Sequence, residues 1–218
     1  MSSMRYTAPG ARIVTMLALC LALAARASAA PPPLGPDVWS MQLDGGLFAP
    51  LQATGASPTA GMRYCKHIGT HLQSGLRTGW TFKRTKLESN GEPDADTHVE
   101  LARVDANLVP VMAFMQVDLT DRFLVPFFGF GVGYEWLMLH SFDHRTGAQE
   151  KARYANLAWQ TFAGVGLQLT SIWRVNGELY YNGGSLEREV RLPDGTVQRE
   201  AVDVNGVGLR VGLDMKFD

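Results

Sequence analysis

The densest run of side chains able to do chemistry is LHSFDH, residues 139–144, which carries His140, Ser141, Asp143 and His144. A hydroxyl becomes a nucleophile when a base lies within hydrogen-bond reach and a third group orients that base. This run closes a segment that alternates with a period of two, where adjacent residues point to opposite faces. His140 and Ser141 cannot meet there, so the expectation is a polar strand end entering a loop, in a protein that is not an enzyme. Metal chemistry has no better footing. His67 and His71 stand four apart across an expected turn, with no Cys or carboxylate cluster to complete a ligand set. The glycines of GFGVG (129–133) lie within a strand pattern and form no phosphate loop, so no cofactor is expected.

A second set of charged residues is embedded in apolar segments: Asp44, Arg77, Glu135, Glu178, Arg210 and Asp214. The segments that carry them explain their placement. In LVPFFGFGVGYEW (124–136), Gly129, Gly131 and Gly133 would each cost a helix about 1 kcal/mol, and Pro126 interrupts it. With a period of two, Pro126, Phe128, Phe130, Val132, Tyr134, Trp136 and Met138 share one face. Phe127, the three glycines and Glu135 share the other. The same alternation recurs at 72–82, 155–169 and 207–217, where Val207, Leu209, Val211, Leu213, Met215 and Phe217 oppose Gly208, Arg210, Gly212, Asp214 and Lys216.

Alternation does not say which face is wet, but glycine does. Glycine mixed with Arg, Asp and Glu suits the lumen of a narrow eight-stranded barrel, whereas glycine rows outside a soluble sandwich only weaken its strands. The apolar face carries Trp39, Trp80, Tyr134, Trp136 and Trp159, a composition suited to an aromatic girdle at lipid headgroups. The reading is all-β: one transmembrane antiparallel up-and-down barrel. Its eight strands are expected near 38–49, 59–68, 70–86, 98–119, 123–141, 153–170, 173–188 and 201–217.

Connections at 67–69, 120–122 and 171–172 are expected to be tight, and those at 50–58, 87–97, 142–152 and 189–200 long and polar. Asp44, Arg77, Glu178 and Arg210 then point inward at one height, with Asp44 and Arg210 as neighbours, Glu178 on Arg210's other flank, and Glu135 higher. Buried charges must be paired. The plain expectation is a structural plug, and the sharper alternative a gate in which exchange of pairs opens a small pore.

Residues 1–30 have a positive start (Arg5, Arg12), a short apolar run at 13–25 and Ala27-Ser28-Ala29, the signature of a cleaved secretory signal. A Pro-rich lead-in (31–37) follows, and 38–218 forms the barrel. Three of the 20 Lys and Arg side chains leave with the signal and none of the 21 Asp and Glu, so the mature chain is acidic and carries no nucleic-acid footprint. Cys20 leaves too, so Cys65 has no disulfide partner.

The stretches 109–136 and 159–181 pair a strand, a tight turn and, in the first, a Pro-aromatic-Gly-x-Gly-x-Gly-aromatic strand. In this they resemble the central hairpins of the small bacterial outer-membrane barrels of OmpA/OmpX type. Phe217, with Asp218 after it, is similar to the terminal aromatic of that family, which implies recognition by the barrel-assembly machinery. The resemblance further implies outer-membrane lipid and lipopolysaccharide as surroundings, an unnamed extracellular partner at the long loops, and both mature termini in the periplasm. Some barrels of this size are lipid A deacylases or acyltransferases, but the deacylase pattern of His-x-Ser plus a separate Glu is absent. A structural or surface-interaction role is expected, with a narrow channel for small or hydrophobic solutes as the alternative.

Overall fold

The computed structural model describes residues 37–52, 55–89, 99–192 and 194–217, with only the backbone of 87–89 and 99–101. The expected signal, most of the lead-in, the core of the 87–97 loop and Asp218 lie outside these residues. Nine antiparallel segments follow one another: β1 (Trp39–Pro50), β2 (Ser57–Ile68), β3 (Leu72–Ser89), β4 (Val99–Asp118), β5 (Leu124–Asp143), β6 (Gln149–Gln168), β7 (Trp173–Arg191), β8 (Val197–Asp203) and β9 (Gly206–Phe217). Each pairs with its neighbour in sequence, apart from β8 and β9, and β9 also pairs with β1, so the sheet closes.

The nine segments form eight staves. Ser185 opposes Asp203 and Asn182 opposes Gly206, which is one uninterrupted register on β7, so β8 and β9 are a single strand broken at Val204–Asn205. At the break the Gly184 amide donates to the Asn205 side chain at 3.0 Å in place of a ladder carbonyl. β1 ends at Pro50, opposite Gly206, so the ladder of β1 accompanies β9 and not β8.

The strands run further than the alternation suggested. β6 begins at Gln149, β7 reaches Arg191 and β8 starts at Val197, so the expected loops 142–152 and 189–200 shrink to 144–148 and 192–196. The β2–β3 turn falls at 69–71, with Gly69 at φ 71°, slightly later than expected. A transmembrane strand needs about 9–11 residues; β4, β5 and β6 have 20 each, so these staves continue well past a bilayer. The barrel thus has a turn end (69–71, 119–123, 169–172), where Trp39 and Phe217 also lie, and a loop end.

The apolar face is outside. Leu43, Leu76, Phe128, Val132, Leu157, Leu209 and Val211 are all exposed, Leu157 by 71%. The inner face carries most of the strand glycines, and their missing side chains seat the lumen's large ones. A Cβ at Gly208 would run into the Tyr180 ring, and one at Gly129 into Phe162.

Gly208→Val should therefore lower the urea midpoint of the refolded barrel by an equivalent of about 1–3 kcal/mol. Gly177→Val on the outer face, where the nearest atom is 4.0 Å from the added Cβ, should change it by less than about 0.5 kcal/mol. Equal midpoints would show that the ring is not seated on the glycine.

Candidate functional site in the lumen

At mid-height the lumen is crossed by one carboxylate and three guanidiniums. Glu178 on β7 accepts from Arg63 on β2 at 2.5 Å, from Arg77 on β3 at 2.9 Å and from Arg210 on β9. Arg77 also donates to Asp44 on β1 at 2.8 Å, and Arg210 to Gln160 on β6 at 2.6 Å. All five charged groups are buried. Each strand contributes through alternation: residues with the parity of Gly61, Gly79, Gly177's neighbour Glu178 and Gly208 point inward. The guanidiniums are also packed against rings, Arg63 between Phe114 (4.6 Å) and Phe162 (5.0 Å), and Arg210 over Tyr180 at 3.7 Å. Such stacking suits the weakly hydrated, planar Arg head better than a Lys ammonium.

A second polar tier fills the turn end. Arg174 bonds Asp118 at 2.6 and 3.3 Å and Asn176 at 2.6 Å, while Gln73 and Gln116 each donate to Asp118 at 2.8 Å. Gln116 also accepts from Arg63 at 2.5 Å, which joins the two tiers. Asp214 is buried opposite Arg174 in the β7–β9 register. Cys65 lies 3.1 Å from the Ser40 hydroxyl, which is 3.3 Å from His67 Nε2; the thiol is 2% exposed and packed in this tier.

Above the guanidiniums the lumen changes character. Glu135 accepts from Asn182 at 3.1 Å, apart from the mid-height set. Beyond it lies a chamber of about 170 Å³ whose lining is mostly apolar, with Phe48, Leu108, Leu137, Leu139, Val202 and Val204, but includes Ser57, Thr81, Lys83 and Asp203. On the outer wall Trp39 stacks on Tyr64 at 5.1 Å near the turn end, with Phe217 6.2 Å from Tyr64. Trp80, Tyr134, Trp136 and Trp159 stand towards the loop end, with Trp159 5.4 Å from Tyr181. The expected girdle is thus two separate belts, with Trp39 in the one opposite the others.

Asp44, Arg77, Glu178 and Arg210 come together, with Glu178 on the β7 flank of Arg210 as expected but Asp44 paired elsewhere. Asp44 opposes Gly212, not Arg210, and bonds Arg77; Arg210 opposes and bonds Glu178. Arg63, Arg174, Asp118 and the chamber were not anticipated. Arg63 had a signal: it shares its face with Gly61 on β2.

In LHSFDH, His140 faces outward opposite Asp105 and Lys151 and Ser141 takes the opposite face. Asp143 is a loop cap, accepting from the Arg145 amide at 2.8 Å and the Thr146 hydroxyl at 3.0 Å. These bonds hold its carboxyl below the usual carboxylate range. Asp194, in the 192–196 loop, is held low in the same way by the Thr196 hydroxyl and amide. Among the described residues no group of three or more His, Cys, Asp and Glu is arranged to hold a metal ion.

No family model and no curated protein sequence matches this chain. Solved structures do. Neisserial surface protein A matches over 82% of this chain and 97% of its own, at 14% identity and a TM-score of 0.54. The outer membrane protein OprG of Pseudomonas aeruginosa matches over 86% and 99%, at 15% identity and 0.55. The chain has the fold of the small outer-membrane β-barrels. A major outer membrane protein of Thermus thermophilus is similar to it as well, over 83% and 98% at 13% identity and 0.53. OprG and the Thermus protein are themselves outer-membrane proteins.

Removing one partner of a buried ion pair costs about 3–5 kcal/mol, because the other charge is left uncompensated. Glu178→Gln leaves three guanidiniums around a neutral amide and should lower the stability of the lipid-embedded barrel by about that much, read as a shift in its urea midpoint. Arg199→Gln, an exposed partner of Glu189 at 3.4 Å, should shift it by less than about 1 kcal/mol. Comparable shifts would deny Glu178 its central role.

Proposed function

We propose that this chain is a closed, non-enzymatic barrel of a bacterial outer membrane that serves envelope structure or surface contact. Its turn end and both ends of the mature chain face the periplasm, its loop end faces outward, and Phe217 is read by the barrel-assembly machinery. The observation that carries this reading is the Glu178 hub. Three guanidiniums from three strands converge on one carboxylate, and the space left beside them, lined by Asp44, Arg77, Tyr180 and Arg210, is about 20 Å³. That is room for about one water molecule, not for a hydrated ion. In planar bilayers the purified barrel should give no stepwise conductance. Arg210→Ala should stay closed too, because Arg63 and Arg77 still hold Glu178. Steady unitary currents from the unaltered protein would overturn the proposal, and currents from Arg210→Ala alone would favour the gate.

The chamber supports a second reading, binding of a small hydrophobic solute. The apolar part of its lining, Phe48, Leu108, Leu137, Leu139, Val202 and Val204, is costly to leave wet, and Ser57, Thr81, Lys83 and Asp203 offer a polar end to the same space. Its volume of about 170 Å³ compares with apolar cavities of about 150 Å³ that bind benzene. The hub closes its floor, so it is a dead end and not a channel. Toluene added to methyl-labelled protein in nanodiscs should shift the NMR signals of Leu108, Leu137, Val202 and Val204 and leave Val125, near the turn end, in place. Leu137→Lys should abolish the shifts. Shifts of lipid-facing Val211 and Leu213 alone would mean simple partition into the bilayer.

A further inference from the structure

The chamber and the small space beside the hub meet, because Phe48, Thr81 and Leu108 line both. Glu135 stands at that junction. It is 1% exposed and lines the small space, while Leu137, next on the same face of β5, lines the chamber. Asn182 donates to Glu135 Oε2 at 3.1 Å. Among the described residues Oε1 accepts no hydrogen bond, and no Lys, Arg or His forms an ion pair with this carboxylate. From Asn182 the hydrogen bonds run through Gln160 at 3.4 Å to Arg210 at 2.6 Å, so two amides separate Glu135 from a cation. Asp44, Asp118 and Glu178, also in the lumen, each take a guanidinium directly.

We propose that the chamber takes a small hydrophobic primary amine, with its ammonium on Glu135 and its apolar body between Leu108, Leu137 and Val204. This rests on the chamber as a binding space, the second reading above, and names the chemistry of its ligand. A buried carboxylate is costly without a counter-charge, and an ammonium supplies one together with three donors. The dimensions agree. The small space of about 20 Å³ holds about one water-sized group, which is the bulk of an ammonium head, and the chamber of about 170 Å³ holds a ring. Arg77 and Arg210 border the small space too, but their guanidiniums donate to Asp44, Glu178 and Gln160. A plain hydrocarbon would leave Glu135 facing apolar surface. A carboxylic acid would set like charges together there, and at the other end of the chamber it would meet Asp203 as well as Lys83.

Benzylamine, benzyl alcohol, benzoate and toluene share one ring and differ in the head, so a titration series with them tests the proposal. The probe is the methyl-labelled barrel in nanodiscs of zwitterionic lipid at neutral pH, read at Leu137 and Val204. Benzylamine should saturate these shifts at about tenfold lower concentration than benzyl alcohol, because its hydrogen bonds to Glu135 are charge-assisted. Glu135→Gln keeps the size of the side chain and removes its charge; it should bring the two midpoints together and leave that of toluene unchanged. Equal midpoints in the unaltered protein would overturn the proposal, and this comparison stands without the variant. An amine preference that survives in Glu135→Gln, or tighter binding of benzoate than of benzylamine, would overturn it too. In each of these cases toluene still shifts the chamber signals, and the chamber stands as a binding space. Shifts confined to lipid-facing Val211 and Leu213 for all four compounds would instead remove the chamber reading, and the proposal with it.

Discussion

Everything inside this barrel is arranged around the fact that Glu178 cannot be left alone. An eight-stranded lumen is narrow, so its interior must be filled by side chains, and a buried charge must be matched and hydrogen-bonded. Glu178 supplies the counter-charge for Arg63, Arg77 and Arg210 and accepts from each, although the Nε of Arg63 and of Arg77 has no partner. The first condition is met by the rings against which the guanidiniums lie, and those rings need glycines behind them. Tyr180 sits over Gly208 and under Arg210; Phe162 sits over Gly129 and beside Arg63. Glycine, aromatic ring and guanidinium are therefore one packing unit repeated around the wall.

The lumen is polar below this layer and apolar above it. The turn-end tier around Arg174 and Asp118 is nearly continuous with the hub through Gln116, so the polar interior spans the part of the barrel whose outside is most apolar. The chamber lined by Leu108, Leu137 and Val204 lies where the ladder of β1 has ended and the eighth strand breaks at Val204–Asn205. The same break turns Asn205's side chain into a ladder partner.

Much of this was legible in the alternation. The outward and inward faces of 72–82, 124–138, 155–169 and 207–217 follow from a period of two, and glycine's position told inside from outside. What stayed hidden depends on register between strands, which no single strand encodes. The Asp44–Arg77 bond follows from tilt and shear, not from Asp44 and Arg210 lying on adjacent staves. Arg63 was missed because β2, SPTAGMRYCKHI, alternates weakly, with Pro58, Ala60 and Lys66 on its outer face. The chamber was missed for the opposite reason. Leu137 and Leu139 extend an apolar run at a point where inner and outer residues are both apolar, so the pattern loses its contrast. Polarity overstates the loops because Lys151, Arg153, Glu187 and Glu189 have the composition of loop residues yet stand on strands β6 and β7.

A buried ion network is poor evidence for stability, since apolar replacements of equal volume often do as well. Its value here is in register. A slip of one residue in any stave exchanges its two faces, and a wall of alternating glycine and leucine would resist that only weakly. With the charges in place, a slipped β3 would carry Arg77 to the lipid face, a slipped β9 would carry Arg210, and a slipped β7 would carry Glu178, leaving three guanidiniums with Asp44 as their one close counter-charge. A basic side chain at the bilayer midplane costs about 2–4 kcal/mol, before counting the broken pairs. A slip of two residues keeps the faces but moves Glu178 about 7 Å along its strand, out of reach of Arg63 and Arg77 on the far side of the lumen. Because the four strands that meet at Glu178 are not all neighbours, one carboxylate sets the height of β2, β3, β7 and β9 against each other, which local hairpin turns could not do.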